Sequence, residues 1–361
     1  MITVTVNNRE IQVSEDTTIL SAARKLGIDI PTFCSDERVR FAEQCDEYGS
    51  CKVCSDCKIC SVEVDGVSGL PTACNNICGD GMVIWTESPA VITARKEILA
   101  QKLSRHPLEC MNCNKLGACK LQLYCERYGV SEPPYRVPYE HVPIDDSTKF
   151  YYYEPDKCIA CGKCVRVCKH LMGVDAIKIA QYGYAARVVP TSGANLAESG
   201  CVHCGNCVSV CPVGALSPKA ENKFRAWETR KVRTTCAFCG VGCQMDLLVK
   251  ADRVVGIDPA NGIPNNGLLC VKGKFAFDFI NHPNRLTEPL VRGADGCLHP
   301  AGWDETLDIV ADKINEIRGE FGADAIAGLS SARVTNEENY LFMKFMRAAV
   351  GTNNVDHCAR L

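Results

Sequence analysis

The stretch CIACGKCVRVC at residues 158–168 is followed along the chain by CVHCGNCVSVCP at residues 201–212. Each stretch has the spacing C-x2-C-x2-C-x3-C. In this spacing three thiolates surround one [4Fe-4S] cubane, and the fourth cysteine reaches the neighbouring cubane of a two-cluster ferredoxin. Zinc sites more often use two separated C-x2-C pairs. The predicted ligand sets are Cys158, Cys161, Cys164 and Cys211 for the first cubane, and Cys168, Cys201, Cys204 and Cys207 for the second.

Cysteine dominates the composition, with 26 cysteines in 361 residues and a formal net charge of −3. The N-terminus MITVTVNNREIQV alternates apolar and polar residues and lacks the features of an export signal. We therefore predict a cytoplasmic protein, in which clustered thiols hold metal or perform redox chemistry. The near-neutral charge and short apolar runs predict neither nucleic acid nor a membrane as a partner.

The stretch HPLECMNCNKLGAC at residues 106–119 places one histidine before three cysteines. In isolation this set is compatible with zinc, but its position between iron–sulfur motifs favours a cubane with one imidazole ligand. A neutral imidazole in place of a thiolate should raise the reduction potential. The predicted ligands are His106, Cys110, Cys113 and Cys119, and Cys125 is predicted to be a packing residue.

A further set is predicted from CAFCGVGC at residues 236–243 and the later LLCVKG. Three close cysteines and a distant one suit another cubane, and Gly240 and Gly242 let the backbone pass close to it. The predicted ligands are Cys236, Cys239, Cys243 and Cys270.

The N-terminal cysteines allow more than one interpretation. One early cysteine, a C-x2-C pair and a late cysteine would hold a [2Fe-2S] cluster in a β-grasp fold, and we favour Cys34, Cys57, Cys60 and Cys74. However, Cys51 and Cys54 extend the pair to an unbroken C-x2-C-x2-C-x2-C, and Cys45 is also extra. A [4Fe-4S] cluster there, or a [2Fe-2S] register using Cys51 and Cys54, remains open. The remaining cysteines, predicted to be buried thiols, are Cys78, Cys297 and Cys358.

Outside the cysteine blocks, hydrophobic periodicity predicts mixed α and β structure. Strands are predicted near residues 2–6 and 10–13, joined by the turn NNRE and followed by a helix that stops at Gly27. Near the C-terminus, residues 303–322 predict an amphipathic helix, DAIAGLSSA at residues 324–332 a buried strand, and residues 335–351 a second helix. The apolar face of the first of these helices is predicted to comprise Leu307, Val310, Ala311, Ile314 and Ile317.

The order of these blocks resembles the electron-relay part of several large redox subunits: the 75-kDa-type subunit of respiratory complex I, iron-only hydrogenases, and cytosolic formate dehydrogenases of the molybdenum/tungsten bis-pterin family. The resemblance implies a multidomain α+β chain. Its units would be a β-grasp [2Fe-2S] domain (1–80), a helical histidine/cysteine [4Fe-4S] segment (81–130), a two-cluster ferredoxin (145–222), a [4Fe-4S] domain (228–285) and the start of the bis-pterin α/β domain (286–361).

The C-terminal third favours formate dehydrogenase among these families. TTCAFCGVGCQ and LLCVKGKFAF resemble the first domain of the bis-pterin enzymes, and hydrogen-cluster motifs are not seen in residues 228–361. By this resemblance, Lys272 would lie between the last cubane and a pterin and relay electrons. NNVDHCARL resembles the segment that leads into the metal-ligating cysteine or selenocysteine, which would be residue 362. We therefore expect codon 362 to be UGA.

The resemblance implies reversible oxidation of formate to CO2 by the full-length subunit. Its expected cofactors are one [2Fe-2S] cluster, four [4Fe-4S] clusters and a Mo or W bis-pterin guanine dinucleotide. Electrons would pass to a partner redox subunit, namely a flavin/NAD(P) module, a hydrogenase or a ferredoxin. We expect the 361-residue chain alone to be inactive with formate. The alternatives are a complex I-type subunit without a working metal site and a stand-alone electron carrier.

Overall fold

The computed structural model describes residues 1–36, 38, 57–138, 140–181, 183–219 and 224–358. The extra N-terminal cysteines, Cys45, Cys51 and Cys54, lie outside the described residues. Helices and strands are numbered below in chain order.

The N-terminal unit is a four-stranded sheet packed against one helix. Strands β1 (Ile2–Val6) and β2 (Arg9–Val13) form the predicted hairpin, and Asn7 and Asn8 at its turn have positive φ. Helix α1 (Ile19–Lys25) begins at Thr18, whose side chain accepts a hydrogen bond from the Ser21 N–H. The sheet order is β2-β1-β4-β3, where β3 is Glu63–Val64 and β4 is Val83–Trp85. The parallel pairing of β1 with β4 closes the sheet beyond the predicted boundary at residue 80.

The next unit consists of helices α2 (Pro89–Leu103) and α3 (Lys120–Tyr128). Arg95 of α2 is fully buried and connects this unit to the N-terminal one. Its guanidinium donates to the carbonyls of Ile59 at 3.1 Å and Ser61 at 2.9 Å, and it forms an ion pair with Glu87 at 2.9 Å. Because a buried guanidinium needs several acceptors, Arg95 fixes the loop around Cys60 against α2.

The two cysteine runs fold into a pseudo-symmetric pair of short helices with small sheets beside them. Helix α4 (Lys163–Arg166) continues as a π-turn over Val167–Leu171, and α5 is Asn206–Val210. Strand β5 (Tyr151–Tyr153) pairs antiparallel with β8 (Leu216–Pro218), and β6 (Ile177–Ala180) pairs antiparallel with β7 (Arg187–Pro190). One apolar core joins these elements to α2, α3 and the loop around Cys34.

The following unit is an antiparallel sheet of order β11-β10-β9, in which β9 is Arg230–Thr235, β10 is Gln244–Lys250 and β11 is Arg253–Pro259. Helix α6 (Val271–Phe275) packs against β11.

The C-terminal unit has the predicted alternation of helix and strand. It contains the β12 (Leu290–Arg292) and β13 (Leu298–Pro300) pair, helix α7 (Trp303–Phe321), β14 (Gly328–Ser330), helix α8 (Asn336–Phe345) and β15 (Val355–His357). Strands β14 and β15 are parallel. A capping box between Thr335 and Glu338 begins α8.

One prediction for this unit is wrong. The strand in residues 324–332 is not buried on both faces, because only Gly328 is covered and the Leu329 side chain is 82% exposed. Among the described residues, the predicted apolar face of α7 is only partly covered. Ile314 and Ile317 are half-buried, and the exposed members are Leu307, Val310 and Ala311. Hydrophobic periodicity in a sequence shows which face of a helix is apolar, but it does not show which part of the protein packs against that face. No helix of the described part of the chain is long and apolar enough to cross a bilayer.

Candidate metal centres

The first cysteine run lines an apolar cavity together with a cysteine from the second run. Cys158, Cys161 and Cys164 meet Cys211 there, beside apolar side chains such as Ile159. The loop turns inward because Ala160 and Gly162 have φ values of 51° and 70°. The Ala160 N–H points at the Cys158 sulfur, with the nitrogen 3.4 Å from Sγ. This is the set predicted for the first cubane, brought together from positions far apart in sequence.

The second run forms the matching cavity. Cys201, Cys204 and Cys207 meet Cys168 from the first run. His203 and Gly205 stand at the positions equivalent to Ala160 and Gly162 and have φ values of 54° and 73°. A Cβ on Gly205 would lie 2.5 Å from the Phe275 ring, so only glycine allows α6 to pack here.

The cysteine thiols that line these two cavities are the kind of ligand that iron–sulfur clusters require. Burial raises the pKa of Cys161 to about 12 and raises the pKa of Cys164 and Cys207 well above the usual thiol value. A thiolate in such a cavity therefore requires a bound cation. Within the described ranges, no three His, Cys, Asp or Glu side chains have the geometry of a single-ion site. The apolar walls and multiple soft donors fit a cage of iron and sulfide.

The histidine/cysteine set also shares one cavity. His106, Cys110, Cys113 and Cys119 line it, and His106 Nδ1 is buried without a hydrogen-bond partner among the described residues. Burial lowers the pKa of His106 to about 4, so the imidazole is neutral, which is the form that binds metal. Cys125, predicted to be a packing residue, is buried and does not line this cavity.

The favoured N-terminal set also converges. The Sγ atoms of Cys34 and Cys57 lie 3.2 Å apart, and the thiol of Cys74 contacts those of Cys34 and Cys60. Contacts from Cys57 and Cys74 lower the pKa of Cys34 to about 3. Thiols this close and this buried fit a small [2Fe-2S] cluster.

The last set lies on the loop between β9 and β10 and at the start of α6. Burial raises the pKa of the Cys243 thiol, and the charges of three other thiols raise it further: Cys236, Cys239 and Cys270. Cys236 is buried, whereas Cys239 and Cys270 are exposed. Lys272 lies in the first turn of α6 with its side chain exposed.

The other cysteines divide into two groups. Cys78 is buried, as predicted. Cys297 and Cys358 are exposed, which corrects the prediction that they are buried thiols. Both lie in the C-terminal unit, whose two sheets have two strands each.

Three polar side chains near these cavities were not identified from the sequence. Tyr151 and Asn206 are buried against the second cavity, and the Arg166 guanidinium donates to the carbonyl of Cys34. In the sequence these residues are marked only by their closeness to the cysteine runs. That closeness does not show in which direction a side chain points.

Comparison with known families assigns each part of the chain. Successive family models match a 2Fe-2S iron–sulfur cluster binding domain (1–89), the NADH-ubiquinone oxidoreductase-G iron–sulfur binding region (95–134), a 4Fe-4S dicluster domain (157–215), the molybdopterin oxidoreductase Fe4S4 domain (229–282) and molybdopterin oxidoreductase (285–361). Successive parts of this chain thus match iron–sulfur cluster domains and domains of molybdopterin oxidoreductases.

Curated relatives of this chain carry different activities in their names. It is 36% identical over 100% of its length to the NADPH-Fe(3+) oxidoreductase subunit alpha of Geobacter sulfurreducens, and 35% identical over 100% of its length to a subunit of NADH-quinone oxidoreductase from Rhizobium meliloti. It is 33% identical over 99% of its length to the Bacillus subtilis protein YrhE, a formate dehydrogenase by name only. The chain spans 40% of the length of each of these relatives.

A solved structure shares the fold of part of this chain. A chain of an NAD+-reducing [NiFe]-hydrogenase superimposes with a TM-score of 0.54 at 26% identity, and the match covers 61% of this chain and 88% of that one.

Proposed function

We propose that this chain is the electron-relay part of a formate dehydrogenase catalytic subunit, which oxidises formate reversibly to CO2. One observation carries this proposal. The stretch NNVDHC, which resembles the lead-in to the metal-ligating residue of formate dehydrogenases, forms β15 and ends at the carboxyl edge of a parallel strand pair. Ligand sites in α/β folds lie at that edge. In the full-length subunit, the cysteine or selenocysteine ligand to Mo or W would follow Leu361.

The proposed cluster ligands are the five sets described above. When bound, the clusters supply one-electron transfer, and a bis-pterin metal in the full-length subunit would supply the two-electron chemistry. The chain itself excludes water from the two ferredoxin cavities, where the sulfur atoms of Cys164 and Cys207 are buried in apolar walls. It also keeps His106 neutral, because burial lowers the pKa of its imidazole to about 4. Lys272 is proposed to lie between the last cluster and a pterin.

The domain contacts support one continuous route for electrons. Asn206, next to Cys207, hydrogen bonds to Leu269, next to Cys270. Arg166, two residues from Cys164, donates to the carbonyl of Cys34. We propose that electrons enter at the Cys270 end and leave through the His106 or N-terminal cluster to a partner redox subunit in the cytoplasm. That partner would be a flavin/NAD(P) module, a hydrogenase or a ferredoxin.

A second function is favoured by the names of the relatives at 36% and 35% identity. In that case the chain would relay electrons in an NAD(P)H-dependent complex. The two functions are separated by assaying the full-length subunit, purified anaerobically, for Mo and W and for formate-dependent viologen reduction. Stoichiometric metal and formate turnover support the first. Absence of both metals, with NAD(P)H-dependent reduction of Fe(III) or quinone in the assembled complex, supports the second.

A further inference from the structure

Strand β5 places three consecutive tyrosines between the cluster cavities. Because side chains alternate along a strand, Tyr151 and Tyr153 share one face and Tyr152 faces the other way. Tyr151 is 1% exposed and Tyr153 is 5% exposed, and both line the cavity of the second cysteine run. Two buried phenols therefore face the region of the ferredoxin clusters.

The Tyr151 hydroxyl is aimed at a cysteine sulfur. Its oxygen lies 3.1 Å from Cys201 Sγ. The ring is held by stacking on Phe275, with centroids 6.2 Å apart, and by a tilted contact with His203 at 6.4 Å. The backbone is fixed as well, since the Tyr151 N–H donates to Thr148 Oγ1 at 3.1 Å. These ring and backbone contacts restrict the side-chain rotamer of Tyr151. They therefore hold its hydroxyl against the Cys201 sulfur.

The chemistry of a cluster ligand determines which atom donates. This argument rests on the proposed ligation by Cys201. A thiolate bound to iron has no proton, so the hydroxyl must be the donor and the sulfur the acceptor. A hydrogen bond to a ligand sulfur withdraws negative charge from the cluster, and reduction adds negative charge. The bond therefore becomes stronger in the reduced state and raises the reduction potential.

We propose that Tyr151 is a positioning residue that sets the reduction potential of the cluster held by Cys168, Cys201, Cys204 and Cys207. Its hydroxyl bond to Cys201 makes this cluster a better electron acceptor than it would be with phenylalanine at the same site. Since this cluster lies beside Leu269 and hence the Cys270 site, the bond favours electron flow into the ferredoxin unit.

The test is Tyr151→Phe in the anaerobically purified chain, followed by redox titration monitored by electron paramagnetic resonance (EPR). The lost hydrogen bond is stronger in the reduced state than in the oxidised state. Its loss should make one cluster about tenfold harder to reduce, which lowers the midpoint potential of that cluster by about 59 mV. The matched control is Tyr152→Phe, because that hydroxyl receives a hydrogen bond from Asn114 instead. The control should leave the midpoint of the same cluster unchanged.

An unchanged midpoint in Tyr151→Phe, with wild-type iron and sulfide content, would overturn the inference while leaving the cluster assignments intact. A wild-type chain without sulfide would overturn both. If Tyr151→Phe does not retain its cluster, site-specific 3-fluorotyrosine at this position keeps the packing and makes the hydroxyl more acidic. That substitution should raise the midpoint, and no change would again overturn the inference.

Discussion

The side-chain amide of Asn206 makes two hydrogen bonds to the backbone of Leu269. Asn206 Nδ2 donates to the Leu269 carbonyl at 2.8 Å, and Oδ1 accepts from the Leu269 N–H at 3.1 Å. Asn206 is 1% exposed, so water cannot replace either bond. This pairing joins the ferredoxin unit to the unit that contains the Cys270 site, between residues directly adjacent to proposed ligands of two clusters.

Replacing Asn206 with leucine should weaken this junction. The buried N–H and carbonyl of Leu269 would lose their partners, at a cost of about 2–3 kcal/mol in the free energy of unfolding. Electron transfer from the Cys270 centre to the ferredoxin centres should also slow, as followed by rapid-freeze EPR after reduction. Asn284→Leu is the control, because Asn284 is exposed in the neighbouring loop. Equal stability and equal transfer rates in the two variants would show that the junction has no such role.

Replacing Arg95 with methionine should destabilise the contact between the first two units. The carbonyls of Ile59 and Ser61 would lose a buried donor, at a cost of about 2–3 kcal/mol in the free energy of unfolding. Glu87 would keep its ion pair with Arg127. We expect a lower urea midpoint and partial loss of the N-terminal cluster. The exposed Arg9→Met is the matched control. Unfolding curves that coincide for the two variants would contradict the role of Arg95.

Replacing Cys211 with serine should remove the cluster of the first cysteine run rather than that of its own run. The structure places Cys211 in the cavity with Cys158, Cys161 and Cys164. EPR of the reduced protein should show loss or conversion of one cubane signal, while the signal assigned through Tyr151→Phe persists. Cys297→Ser, at an exposed thiol, should lose neither signal. Loss of the Tyr151-sensitive signal in Cys211→Ser would refute the exchanged ligands.

Lys274 should make stability depend on alkaline pH. Burial lowers the pKa of Lys274 to about 8, with Asp258 opposing that shift, and its Nζ donates to the Ile257 carbonyl. The unfolded value is about 10.4, so between these two values the unfolded chain binds more protons than the folded chain. This lysine's contribution to folding stability therefore rises with pH across that window and is least favourable below pH 8.

The variant Lys274→Met should lack this rise. Urea midpoints of wild type and variant at pH 7.5 and pH 10 give the comparison, and wild type should gain stability relative to the variant on going to the higher pH. Lys313→Met, at an exposed side chain of α7, should show no such difference. Parallel pH profiles for wild type and Lys274→Met would contradict the burial of a charged ammonium.

Cluster spacing predicts that Cys168 and Cys211 are exchanged between the runs, and the structure places each of them in the cavity of the other run. Their ligation of clusters stays a prediction. The sequence also predicted the hairpin of β1 and β2, since two asparagines tolerate the positive φ of the turn. Spacing gave no information on Tyr151 or Asn206, because their roles depend on side-chain direction across units. It likewise failed for Leu329, since an apolar run in a strand does not show whether both faces are covered.

The most direct test of the account is the iron and acid-labile sulfide content of the anaerobically purified chain, measured together with zinc. Four [4Fe-4S] clusters and one [2Fe-2S] cluster predict about 18 iron atoms and about 18 sulfides per chain, with little zinc. Zinc in the cysteine sites without labile sulfide would contradict the account.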